Sequence, residues 1–91
     1  MAELDVTCRR DGDGWTCQVD VAEAGTRTEH RVMVRSADLA RLAPGAGDPV
    51  DLVRRSFAFL LEREPKESIL RSFDLTMIGQ YFPEWEGRIV R

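Results

Sequence analysis

The strongest constraint on this chain is the alternation of apolar and polar residues from Leu4 to Arg35, broken only at Asp11-Gly12-Asp13-Gly14 and at Ala24-Gly25. A period of two describes half-buried strands, and short Gly-containing breaks between such runs describe tight hairpin turns. The segment therefore reads as a three-stranded antiparallel meander. If Gly12-Asp13 forms the first two-residue loop, Cys8 lies opposite Cys17. If Ala24-Gly25 forms the second, Val19 lies opposite His30. The two registers are independent, yet together they put Leu4, Val6, Cys8, Trp15, Cys17, Val19, Val21, His30, Val32 and Val34 on one face. A slip of one residue in either would send half of these side chains to the other side. The opposite face collects Glu3, Asp5, Arg9, Gln18, Asp20, Arg27, Glu29, Arg31 and Arg35, so one face is core and the other is wet.

After Arg35 the period lengthens. Ser36 is placed to cap a short helix over 37–42, which the stretch Ala43-Pro44-Gly45-Ala46-Gly47 ends as a loop. Asp48-Pro49 opens the main helix, with Val50, Val53, Phe57, Leu60 and Leu61 at helical spacing and Pro65 as its stop. A third helix is expected from Pro65 to about Phe73, with Ile69, Leu70 and Phe73 inward. A fourth is expected from Leu75 to about Phe82, capped by Asp74. The tail from Glu84 onward has no firm reading. The expected architecture is α+β: a β-meander over 4–35 and a helical part over 36–85 with three to four helices on one face, all in a single domain spanning 1–91.

Composition narrows the function. Thirteen basic against sixteen acidic residues leave a net charge of −3, spread evenly along the chain, whereas a nucleic-acid binder normally carries a basic excess. No apolar run approaches the roughly 18 residues of a membrane span, and Met1-Ala2-Glu3-Leu4-Asp5 does not resemble a signal peptide, so the expected setting is the cytoplasm, away from membranes. Glycines fit turns and not a phosphate loop. No nucleophile motif or His-bearing triad stands out, so no catalytic residue, cofactor or small-molecule substrate is expected.

Three groups of residues invite chemistry. Cys8 and Cys17 face each other at a distance a disulfide tolerates, but they point at the core in a reducing compartment. Two buried reduced thiols are the favoured reading, ahead of a disulfide or a redox pair. His30 sits near Cys17 on the same face, but a fourth zinc ligand is missing, so it reads as a core-edge histidine and no metal site is expected. Asp5, Asp20 and Glu29 line up across the wet face. Arg27 and Arg31 neutralising them diagonally is favoured over a bound cation, a basic partner, or a register two residues off. A helix-turn-helix reading of the last two expected helices fails on charge, because the second offers Thr76, Met77, Gly79 and Gln80 with no cation to reach phosphate.

The aromatic residues are the better clue. All except Trp15 lie from Phe57 onward, more than one small sheet is expected to bury. Phe59 and Met77 fall off their helices' inward stripes, while Tyr81 and Trp85 flank Pro83. Exposed Trp, Tyr and Met mark interfaces, so Phe59, Met77, Tyr81 and Trp85 are the candidate interaction residues. The expectation is a non-enzymatic protein–protein interaction module, homodimeric or bound to another protein. A nucleic-acid-binding or antitoxin-like regulator is the alternative.

The run Phe59-Leu60-Leu61-Glu62-Arg63-Glu64-Pro65, with Glu67-Ser68-Ile69-Leu70, Phe73-Asp74-Leu75 and Tyr81-Phe82-Pro83-Glu84, resembles a small bacterial protein family of uncharacterised function. The similarity extends over nearly the whole chain and implies a bacterial cytoplasmic origin, with no chemistry attached. Three strands followed by a helix also resemble antitoxins of the HicB type, a likeness of topology alone.

Overall fold

The computed structural model describes residues 2–90; the two ends of the expected 1–91 span lie outside them. Strands β1 (Glu3–Asp11), β2 (Gly14–Glu23) and β3 (Thr26–Arg35) form the meander in both expected registers: Cys8 opposite Cys17, and Val19 opposite His30. The turns explain why these registers win. Gly12 adopts φ 61° at the first central position of the β1–β2 loop, while Ala24 and Gly25 both lie at positive φ, 56° and 80°, as the second tight hairpin requires. Val6, Cys17, Val19, Val21, Val32 and Val34 are buried, and the facing charged residues are largely exposed.

Helix α1 (Ser36–Leu42) forms where expected, but Ser36 does not cap it. Its hydroxyl and its N–H both donate to the Asp13 carbonyl, 2.6 and 3.3 Å away, which ties the helix start to the β1–β2 turn. Helix α2 (Val50–Leu61) packs across the apolar face against β1, and the Asp48 carboxylate accepts the Val50 N–H at 2.9 Å. Phe57 sits at its centre, with its ring 5.3 Å from that of His30 and 6.1 Å from that of Phe73.

The sheet has a fourth strand where a helix is expected. The segment from Pro65 to Phe73 instead makes a short 3-10 helix (Lys66–Ser68) and then β4 (Ser72–Asp74), which runs parallel to β3. The reason is the open edge of β3. The Arg31 N–H donates to the Arg71 carbonyl at 2.7 Å and the Leu75 N–H to the Met33 carbonyl at 2.9 Å, satisfying backbone groups that a helix would leave exposed. Phe73 and Leu75, two apart, are consequently buried together, whereas Leu70 turns outward.

The expected fourth helix shortens to α3 (Met77–Tyr81); Asp74 does not cap it, and its carboxylate instead accepts the Thr76 N–H at 3.0 Å in the turn that leads into the helix. The unread tail becomes α4 (Trp85–Ile89), which packs on α2 through the buried Trp85 and Ile89. The resulting α+β fold has a mixed four-stranded sheet in the order β1-β2-β3-β4 with four α-helices among the described residues. None of those helices is long and apolar enough to cross a membrane.

Candidate interaction groove

The four expected interaction residues separate into two pairs. Trp85 is fully buried: its indole N–H donates to Ser56 Oγ at 3.1 Å, and that hydroxyl donates in turn to the Leu52 carbonyl at 2.8 Å. The ring packs closely on Gly79, where a Cβ would stand 3.3 Å from the indole and press it back by a few tenths of an ångström. Phe59 is also buried, edge-on to Phe82 at 5.9 Å and covered by the Arg63 guanidinium 3.6 Å above its ring. Arg63 is held there by the Phe59 carbonyl and by Glu62 and Glu84, at 3.1 to 3.3 Å. Phe59 and Trp85 are therefore core residues and not contact residues. The tail helix and the arginine roof together absorb aromatics that a bare sheet could not.

Met77 and Tyr81 line a groove. It opens between the end of α2, the Ser68–Phe73 segment and α3, and it encloses about 370 Å³. Leu60, Ile69, Phe73 and Ile78 form its buried floor. Met77 and Phe82 stand half-buried on the sides, and Tyr81 and Leu70 rise on the rim with 66% and 48% of their surface exposed. Glu64 and Ser68 are the polar side chains at the wall, and the lining includes neither Arg nor Lys. The groove lies where the chain passes from the 3-10 helix Lys66–Ser68 into β4, a passage that leaves Leu70 on the rim. The volume falls at the small end of ligand and peptide pockets.

The other candidates resolve differently. Cys8 and Cys17 form a disulfide, with Cα atoms 4.0 Å apart, in place of the two reduced thiols expected; their direct opposition in the β1–β2 ladder brings the sulfurs together. Asp5, Asp20 and Glu29 do lie side by side across the wet face. Arg27 pairs with Glu29 at 3.2 Å and the Gln18 amide donates to Asp20 at 3.0 Å, while Arg31 makes no ion pair among the described residues. No group of three His, Cys, Asp or Glu side chains among the described residues is arranged to hold a metal ion.

His30 is buried as a structural link. Its Nδ1 lies 2.8 Å from the Leu70 carbonyl and its Nε2 lies 2.8 Å from Thr28 Oγ. A carbonyl only accepts, so the neutral ring carries its proton on Nδ1 and receives the Thr28 hydroxyl at Nε2. Burial lowers its pKa from the ordinary 6.5, against the opposing hydrogen bond to Leu70. His30 thereby fixes the start of the segment that makes one wall of the groove.

Comparison with known proteins returns no matching family model, no matching curated protein and no matching solved structure.

Proposed function

We propose that this chain is a non-enzymatic interaction module whose groove receives one or two apolar side chains from a segment of a partner protein, with a basic residue of that segment facing Glu64. The observation that carries this reading is the rim. Tyr81 and Leu70 expose large apolar surfaces beside a buried apolar floor, and continuous apolar surface around a concavity is the usual mark of a contact site. A nucleic-acid or antitoxin-like role has less behind it, since neither the net charge of −3 nor the uncharged and acidic lining suits phosphate. The bacterial cytoplasmic setting implied by the C-terminal pattern belongs to the same proposal. A thiol count on protein taken from its native cells bears on it, because cytosol keeps cysteines reduced.

Selection from a displayed random-peptide library tests the groove. Enriched peptides are expected to share an aromatic or aliphatic pair next to Arg or Lys, and their binding is expected to vanish in Tyr81→Ser and Leu70→Ser with thermal midpoints unchanged. Binding that survives both substitutions, or no enrichment at all, removes the proposal.

A further inference from the structure

Strand β1 forms one edge of the sheet, and among the described residues no backbone group outside β2 is hydrogen-bonded to it. The strand is nine residues long, and its pairing with β2 determines which groups face outward. The pair next to the two-residue turn, Asp11 with Gly14, is hydrogen-bonded, so the alternation of an antiparallel ladder directs the N–H and C=O of Leu4, Val6, Cys8 and Arg10 to the open side. A long open edge attracts another strand unless it is guarded, and isolated charges are the usual guard. The charges on β1 are largely ordered instead: Glu3 and Asp5 come first, Arg9 and Arg10 later, with Asp11 closing the strand at the turn. Such a strand is complementary to an antiparallel copy of itself.

Registers that use the outward groups place even-numbered residues opposite even-numbered ones. Centred on Asp5, the pairing sets that carboxylate against its own copy; centred on Thr7, it sets Asp5 against Arg9 but Glu3 against Asp11; centred on Cys8, it sets Asp5 against Asp11. Centred on Val6, it places Glu3 opposite Arg9 twice, Leu4 opposite Cys8 twice and Val6 opposite Val6, with no like charges in apposition. On the wet face Glu3 meets Arg9 and Asp5 meets Thr7; on the other face Leu4, Val6 and Cys8 meet one another, and Arg10 faces Ala2.

We infer that two copies of this chain associate through β1, antiparallel and centred on Val6, to form a continuous eight-stranded sheet. The twofold axis makes the contact self-complementary and closed, so it ends at a dimer. Both α2 helices lie on the same side of the junction, and each copy's groove stays open, since the groove is built from the other end of the sheet. Self-association is thereby separate from partner binding in the groove.

Charge swaps test the register without touching the fold, because Glu3 and Arg9 are exposed and make no ion pair or side-chain hydrogen bond among the described residues. At about 100 µM the wild-type chain is expected to approach twice the 10.3 kDa monomer mass in sedimentation equilibrium. E3R and R9E are each expected to weaken the dimer by about tenfold or more, since each turns two attractive cross-strand pairs repulsive. Mixed one to one, they are expected to associate at least as tightly as wild type, because every pair is then Arg against Glu. Y81S is expected to leave the dimer intact. A wild-type monomer at that concentration, a dimer indifferent to E3R and R9E, a mixture that fails to associate, or a dimer lost in Y81S would each overturn the inference.

Discussion

At the residue scale, single side chains with two partners link segments distant in sequence. Ser56 joins α2 to Trp85, Asp74 joins β4 to α3 while pairing with Arg35, and the buried Lys66 reaches the Glu23 carbonyl at the β2–β3 hairpin. His30 joins β3 to residue 70 in the same way. Its folded pKa lies below its unfolded value of 6.5, so the unfolded chain binds the proton more readily. Its contribution to stability is therefore complete above that value and is lost as pH falls through it toward the lowered folded value. Chemical denaturation between about pH 7.5 and 5.5 is expected to show stability falling with acid in wild type and a flatter profile in His30→Gln.

At the element scale, strand geometry is written into turns and termini. Ala24 occupies the left-handed region at φ 56°, where a Cβ is disfavoured and asparagine is tolerated. Ala24→Asn is therefore expected to stabilise the protein by about 0.5–1 kcal/mol, and Gly25→Ala, at φ 80°, to destabilise it by a similar or larger amount. Thermal melts of the two variants should move in opposite directions. The helices behave differently. α2 owes its position to its own apolar stripe, whereas α3 and α4, five residues each, are too short to persist alone and exist because they pack. The expected helix at residues 65–73 shows the same competition decided the other way. Ile69, Leu70 and Phe73 have helical spacing, but the unpaired edge of β3 offers the segment hydrogen bonds and a buried site for Phe73.

At the scale of the whole molecule, a core drawn from both halves of the chain holds the fold, and the disulfide constrains it further. Cys8 and Cys17 are nine residues apart, so closing their loop removes disorder from the unfolded chain worth roughly 2–3 kcal/mol in the chain-entropy model. Reduction is expected to lower the denaturation free energy by about that much. The strand pairing itself should survive, since the surrounding valines are buried independently of the bond. Equilibrium urea unfolding with and without reductant measures the difference, and a native thiol titration of the oxidised protein should find no free thiol among the described residues.

The sequence by itself determined the meander, both of its registers, the wet and apolar faces, the position of α2, and the opposition of Cys8 to Cys17. All of these follow from local periodicity and turn chemistry, which neighbouring residues encode. Tertiary structure decided the rest. Burial of Phe59 depends on Arg63 being held over it from Glu84, and burial of Trp85 depends on Ser56 and the space at Gly79. Of the groove, Met77 was legible as an apolar residue off its helix's inward stripe and Tyr81 as an aromatic beside the helix-ending Pro83. Leu60, Ile69 and Phe73 were legible as inward residues, but the outward turn of Leu70 and the opening above that floor were not, because they depend on β4 docking against β3 some forty residues earlier in the chain. Short-range patterns record which face a residue prefers; which distant edge will satisfy a backbone is settled only when the whole chain has folded.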